Sequence, residues 1–201
     1  MFELELIRSR LAEHEPSFST PGPQTREAAV AIVLRQQPTG PEVLFIQRAE
    51  KEGDPWSGHM AFPGGHRDPQ DNGYVHAAMR ETHEEIDLRL EHGHHLGALD
   101  HHVAQPRGRV LDMIIAPHVF EIEGDPVFTP NYEVADVVWA PVRDLARNVL
   151  HDTVTMPLQG QPTVFNGYRL SGGHFVWGLT YRVLKTFFWT LDPDWEPPRE
   201  L

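Results

Sequence analysis

The chain has 201 residues, 40% hydrophobic and 23% charged, with a formal charge of −12 and no cysteine. That length and composition fit one domain with a full core. The acidic balance argues against broad binding to a nucleic-acid backbone, the missing cysteines exclude disulfides and thiolate metal sites and fit a reducing cytoplasm, and no apolar run approaches the ~20 residues of a membrane helix.

The first residues, Met1-Phe2-Glu3-Leu4-Glu5, are acidic where a signal peptide would be basic. Residues 2–12 read as a short amphipathic helix, with Phe2, Leu4, Ile7 and Leu11 on one side. Pro16, Pro21, Gly22 and Pro23 make residues 15–24 a loop. Residues 28–34 are apolar and read as a buried strand. A turn over 36–41, with Pro38 and Gly40, joins it to a second strand over 43–47 as a hairpin.

Residues 51–58 are polar and Gly-rich, a loop, and 59–62 form a short strand that stops at Pro63. A helix capped by Asp71 or Asn72 runs to about Ile86. Residues 96–103 and 110–121 read as strands, the second buried on both faces around Met113-Ile114-Ile115-Ala116. A strand over 134–139 is followed by a short helix with Pro141 at its first position. Residues 151–175 read as short strands and turns. Residues 176–191 form a helix whose stripe, Trp177, Tyr181, Leu184, Phe188 and Leu191, belongs to the core. Pro193, Pro197 and Pro198 mark a tail. The order of elements suggests a mixed sheet between helices.

Within the central helix the run Arg80-Glu81-Thr82-His83-Glu84-Glu85 places Glu81, Glu84 and Glu85 at i, i+3 and i+4 on one face. Like charges at that spacing repel unless a cation neutralises them. Upstream lies Phe62-Pro63-Gly64-Gly65, where glycine permits a close backbone approach. Carboxylates facing a carbonyl-bearing turn form a hard-oxygen donor set suited to Mg²⁺ or Mn²⁺. The histidines offer no His-Glu-x-x-His zinc spacing, because Asp87 stands where the second His is needed after His83-Glu84. Neither a Gly-x-Ser-x-Gly elbow nor a phosphate loop is present, which leaves water as the nucleophile.

Residues 65–88 resemble the Nudix hydrolases, whose box reads Gly, five residues, Glu, seven residues, then Arg-Glu-U-x-Glu-Glu-x-Gly-U, with U bulky and apolar. Gly65 opens the match, and Arg80, Glu81, Glu84, Glu85 and Leu88 fill its later positions. Asp71 stands for the first Glu, with eight residues between it and Arg80; Thr82 replaces an apolar residue and Asp87 replaces Gly. The extra residue, and the context Ala61-Phe62-Pro63-Gly64-Gly65-x-x-Asp68-x-x-Asp71, look like the branch that includes coenzyme A pyrophosphatases. The approach Asp54-Pro55-Trp56-Ser57-Gly58 lacks the Arg and His usual in that branch.

The resemblance implies an α/β/α sandwich with a mixed sheet, spanning residues 25–193 between an N-terminal helix and Pro-rich loop (1–24) and a Pro-rich tail (194–201). It implies Mg²⁺ or Mn²⁺ held by Glu81, Glu84, Glu85 and the Gly65 carbonyl. Glu81, Glu84, Glu133 and Arg80 are the expected catalytic set. Glu133, in Asn131-Tyr132-Glu133-Val134, is the candidate general base, and Arg80 pairs with a box carboxylate, Asp71 or Glu84. Arg48, Trp56, Phe62 and Arg107 are the candidate substrate contacts, and at most one of the neighbouring His101 and His102 faces the cleft. The expected substrate is a small nucleoside diphosphate joined to another group, coenzyme A first, with ADP-ribose, dinucleotides and nucleoside triphosphates open. Nucleic acid and membrane are not expected partners; a homodimer is, with the N-terminal segment available as its interface. The other readings are a non-catalytic nucleotide-binding regulator and an isoprenoid diphosphate isomerase, the latter needing a cysteine that the chain lacks.

Overall fold

In the computed structural model, residues 2–53, 56–104, 112–158 and 160–200 are described. Helix α1 (Leu4–Glu13) precedes strands β1 (Arg26–Gln37), β2 (Gly40–Arg48), β3 (Met60–Ala61) and β4 (Gly64–His66). Helix α2 (Tyr74–Ile86) follows, then β5 (His95–Ala98), β6 (His102–Val103), β7 (Met113–Ile122), β8 (Val134–Pro141) and helix α3 (Val142–Ala146). Strands β9 (His151–Leu158), β10 (Gln161–Arg169) and β11 (Phe175–Trp177) lead into helix α4 (Gly178–Leu191).

The first hairpin opens as it leaves its turn. β1 and β2 pair antiparallel only where residues 34–37 meet 40–43. Beyond that they splay, and the segment 60–66 wedges between them. Its β3 part pairs with Ile46 and Gln47 of β2, and its β4 part with residues 28–30 of β1. The wedge delivers the Gly64-Gly65 turn to the middle of the sheet. On its other side β1 runs parallel to β7, so the sheet is mixed. The β9, β10 and β11 strands form a separate antiparallel sheet.

Alternation along the strands sends side chains to two helical layers. Ala29, Ala31, Val33, Leu44 and Ile46 pack under Ala77, Ala78 and Ile86 of α2. Ile32, Leu34, Val43 and Phe45 face the opposite way, against Ile7 of α1 and Leu184, Phe187 and Phe188 of α4. The result is the expected α/β/α sandwich.

Several boundaries differ from the sequence expectation. The strand expected over 96–103 is two short strands, β5 and β6, both on β7. β7 starts at Met113, and residues 110 and 111 lie outside the described residues. The α2 cap is Gly73 at φ 88°, not Asp71 or Asn72. The Asp71 carboxylate cannot cap because it accepts the Asp68 N–H and the Arg80 guanidinium. Pro141 sits one position before the first turn of α3. Val176 and Trp177 end β11, and α4 begins at Gly178. The Pro-rich tail is anchored: Trp195 is buried and its Nε1 donates to the Ala146 carbonyl at 2.7 Å.

Candidate active site

Two glycines make the site possible. A Cβ on Gly64 would lie 2.3 Å from the Ala29 carbonyl oxygen, and its φ of +151° suits glycine. A Cβ on Gly65 would lie 2.5 Å from the Glu81 carboxyl carbon. The turn and the first acidic residue of the α2 face are therefore in contact through the missing side chain. The next turn of the helix is tied in as well: the Gly64 N–H donates to Glu85 Oε2 at 2.9 Å.

Glu85 is 3% exposed. Burial pushes its carboxyl up to about 8, with the Glu81 and Glu133 charges adding to the rise and the Gly64 N–H and Arg48 opposing it. Burial also raises Glu81, against the pull of Arg80. Both groups resist carrying charge without a cation beside them.

The Arg80 guanidinium sits inside this acidic cluster, and its fork is fully used. Nε and Nη2 donate to the two oxygens of Asp71 at 3.0 and 2.9 Å, a bidentate pair. Nη2 also reaches the His66 carbonyl at 2.9 Å, and Nη1 lies 3.0 Å from Glu81 and 3.1 Å from Glu84. Asp71 is buried, and the Arg80 bond holds it well below the usual carboxylate range, helped by the Asp68 N–H and His76. Arg80 thus ties the approach loop to the acidic face. Asp71 stands where the resembling motif has Glu, and it reaches Arg80 as a bidentate pair.

The two other departures from the motif have local explanations. Thr82 is fully buried, and its hydroxyl donates to the Ala78 carbonyl at 2.7 Å, so a polar residue fits an apolar position. Asp87 takes the left-handed conformation, φ 57°, that glycine ordinarily supplies after a helix, and its N–H donates to the His83 carbonyl. The helix exit keeps its geometry.

A second loop closes over the end of α2. The Asn131 N–H donates to the Glu85 carbonyl at 2.8 Å and the Thr129 N–H to the Ile86 carbonyl at 3.0 Å. Glu133 follows two residues later, exposed, and its carbonyl accepts the Ala49 N–H at 2.8 Å. Both Glu133 and Arg48 act electrostatically on Glu85, so the fold gathers them around it. Asn131 was given no role from sequence; its place two residues before Glu133, the spacing of an Asx turn, was the available signal.

The remaining expected substrate contacts are not gathered in the same way. Phe62 is 3% exposed and its ring stacks on Phe45 at 5.1 Å, so it belongs to the core and offers no face to a ligand. Trp56 is half-buried in the turn before β3. Arg107 lies outside the described residues. His101 Nδ1 accepts the Ser19 N–H and its ring meets Tyr74 edge-on, whereas burial lowers His102 to about 4. Sequence reading also missed a cluster at the start of α2, where the Tyr74 hydroxyl donates to Glu27 and Arg67 pairs with the same carboxylate.

Among the described residues, no group of three or more His, Asp or Glu is drawn into a ready-made cation cluster. Glu81 and Glu84 are turned toward Arg80, and Glu85 toward Gly64. The chemistry of the donor set nevertheless fits Mg²⁺ or Mn²⁺, because every group is a hard oxygen. The cradle that a Cβ on Gly65 would fill brings the backbone to the Glu81 carboxylate.

The NUDIX domain profile matches residues 25–158. The chain belongs to the Nudix family. This Nudix domain is 36% identical over 165 residues to an uncharacterized protein of Schizosaccharomyces pombe, covering 71% of the chain and 50% of that relative, so the chain spans half of that relative's length. It is 28% identical to the human mitochondrial coenzyme A diphosphatase NUDT8, over 86% of the chain and 72% of the relative. It is 29% identical to the uncharacterized Nudix hydrolase NudL of Pectobacterium atrosepticum, over 91% and 92%. Among solved structures, a MutT/nudix family protein from Enterococcus faecalis superposes with a TM-score of 0.58 at 18% identity, covering 94% of the chain and 70% of that structure. That likeness establishes the shared fold. No helix among the described residues is long and apolar enough to cross a membrane.

Proposed function

We propose that this Nudix domain is a Mg²⁺- or Mn²⁺-dependent pyrophosphohydrolase acting on a nucleoside diphosphate joined to a second group, with coenzyme A-type substrates favoured. The observation that carries the reading is Glu85. A carboxyl group is held almost wholly out of water beside a second carboxyl, Glu81, with its own acidity pushed to about 8. Such a pair is costly to keep charged in a stable protein and useful once a divalent cation occupies it. The coenzyme A preference is supported by NUDT8, whose name records that activity for that protein.

Glu81, Glu84, Glu85 and the Gly65 carbonyl would hold the ion, with Arg80 releasing Glu81 and Glu84 to it while keeping Asp71. The ion, when bound, supplies positive charge to the diphosphate and acidifies a neighbouring water. The chain's own groups do the rest. Arg48 offers a guanidinium to a phosphate oxygen. Glu133 accepts the proton of the attacking water, whose oxygen bonds to one phosphorus as the bridging P–O bond breaks. Two phosphate monoesters leave. The acidic character of the protein is compatible with an anionic substrate only through the cation, which makes metal dependence part of the proposal.

The test is product analysis by chromatography and mass spectrometry. Purified protein and the Glu85→Gln variant are incubated with Mg²⁺ or Mn²⁺ and coenzyme A, acyl-coenzyme A, ADP-ribose, NADH, dinucleoside polyphosphates and nucleoside triphosphates. Cleavage of coenzyme A to phosphopantetheine and adenosine bisphosphate supports the full reading, and cleavage of another compound redirects its substrate half. If nothing is cleaved in a manner that needs both metal and Glu85, the hydrolase reading falls and a nucleotide-binding regulator takes its place.

A further inference from the structure

Most aromatic rings in this protein are packed against another ring. Phe18 rests on His101, Trp177 meets His59 and Phe165, and Trp189 meets Trp195 edge-on. Of the four tyrosines, Tyr74 bonds Glu27 and meets His101, while Tyr168 and Tyr181 are buried edge-on against each other. Tyr132 is the exception. It is 86% exposed, the most exposed aromatic side chain among the described residues, and no ring, cation or hydrogen-bond partner among them meets its phenol.

The backbone beneath that ring is held on both sides. One residue before it, the Asn131 N–H donates to the Glu85 carbonyl at 2.8 Å and the Asn131 side-chain amide to the Glu84 carbonyl at 2.9 Å. One residue after it, the Glu133 N–H donates to Asn131 Oδ1 at 2.7 Å and the Glu133 carbonyl accepts the Ala49 N–H at 2.8 Å. Tyr132 is therefore the corner of an Asx turn fastened to the end of α2 and to the end of β2. An exposed apolar group on its own needs no explanation. A free ring on a corner pinned at both flanks is a different object, because most of the cost of ordering it for a ligand is already met. Tyrosine adds only two rotatable side-chain bonds to that cost.

The corner adjoins the acidic site. Through the Asn131 bond, the Tyr132 Cα lies at most roughly 8 Å from the Glu85 carbonyl oxygen. Glu133, the candidate base, is the next residue, and Glu133 and Arg48 both act on Glu85. The surroundings narrow what the ring can receive. Glu84 and Glu133 are exposed on either side of the turn, so a phosphate is repelled from it. Asn131 and Glu133 flank the ring with polar groups, so an aliphatic chain finds no apolar wall to enclose it. A planar, uncharged nitrogen heterocycle suits the position: its face covers the face of the phenol and its edge stays in water.

We infer that Tyr132 is a substrate-binding residue whose free ring stacks on the nucleobase, with the diphosphate lying toward Arg48 and the carboxylates. The residue thereby favours diphosphates that carry a flat base one nucleoside away from the cleaved bond. The inference rests on the proposed hydrolase reading for calling the ligand a substrate; the stacking of a base on Tyr132 is measured apart from it.

The experiment uses the full chain labelled with 3-fluorotyrosine, in EDTA, with adenosine and ribose as probes, so that neither metal nor phosphate contributes. The ¹⁹F signal of Tyr132 is assigned by its loss in Tyr132→Phe. Adenosine is expected to shift that signal to saturation and to leave Tyr74, Tyr168 and Tyr181 unmoved; ribose shifts none. Tyr132→Leu is expected to weaken adenosine binding roughly 10-fold, read by saturation transfer to the adenosine protons, because one stacking face is lost; Tyr132→Phe keeps the face and the binding. An unmoved Tyr132 signal, a shift that rises without saturating, or equal adenosine binding by Tyr132→Leu overturns the inference. With whichever base-bearing diphosphate the protein cleaves, Tyr132→Leu should lower kcat/KM roughly 10-fold through KM; the same loss carried by kcat alone overturns the binding role and leaves Tyr132 a part of the turn. If adenosine binds at Tyr132 but no diphosphate is cleaved, the base site stands and the hydrolase reading falls; cleavage without a Tyr132 shift has the opposite meaning.

Discussion

The Asn131 side-chain amide donates to the Glu84 carbonyl at 2.9 Å while its own Oδ1 accepts the Glu133 N–H at 2.7 Å. One side chain thus links the acidic helix to the loop bearing the candidate base. Asn131→Ala should leave KM within a few-fold and lower kcat by about 10–100-fold, since small misplacements of a reacting group cost that much. Asn131→Asp keeps the acceptor toward Glu133 and should recover part of the rate. Steady-state kinetics of both variants check this; equal KM and kcat in Asn131→Ala would leave the amide a helix-end contact alone.

Glu85→Gln should abolish turnover while the fold persists. The substitution keeps the shape and removes a charge whose burial is unfavourable, so the metal-free melting temperature should equal or exceed that of the wild type. Activity assays paired with thermal melts decide it. Unchanged activity would sink the assignment of the cation site.

Glu133→Gln should slow the reaction by ~10²–10⁴-fold if Glu133 takes the proton of the attacking water. The loss belongs in kcat. A near-normal rate would reduce Glu133 to holding the start of β8 through its Ala49 contact.

Asp71→Ala should destabilise the protein by about 3–5 kcal/mol, because it leaves the Arg80 guanidinium, 17% exposed, facing no bidentate partner in a partly buried site. Denaturant melts measure the loss. A change below ~1 kcal/mol would show that Glu81 and Glu84 suffice to hold Arg80.

Acid should weaken the fold through His118. Its ring is buried, its Nδ1 lies 3.1 Å from His95 Nε2, and burial, then the His95 charge, lowers it to about 3. An unfolded histidine protonates near 6.5, so between 6.5 and 3 the unfolded chain binds more protons and stability rises with pH. The stabilisation is complete above that window and is lost as pH falls through it. Moving from pH 6.5 to 5 should cost about 2 kcal/mol from this residue, and His118→Gln should remove that part of the slope. Melts across the range provide the check.

The central helix and its charge pattern were legible because both depend on spacing alone. Glu81, Glu84 and Glu85 share a face for any chain that is helical there, and the glycines before them announce a close approach. The first hairpin and the α4 core stripe from Tyr181 through Leu184 and Phe188 to Leu191 were readable from hydrophobic period for the same reason, whereas Trp177, expected on that stripe, is half-buried at the end of β11 and outside the core. Element ends were less so. Gly73 caps α2 because Asp71 is spent on a guanidinium nine residues away, and propensity carries no record of that competition. Phe62 reads equally well as a stacking surface or a core ring, and its burial against Phe45 follows from the splay of β1 and β2.

Sequence by itself determined which carboxylates lie on one helical face, the glycines beside them, and the absence of cysteine and of a Gly-x-Ser-x-Gly elbow. Those are local properties, fixed by residue type and helical repeat. Tertiary structure alone decided that the 60–66 wedge sets Gly65 against Glu81 and that the 129–133 loop caps α2. Each is a contact between segments far apart in the chain, set by strand register and burial, which act only once the whole sheet has formed.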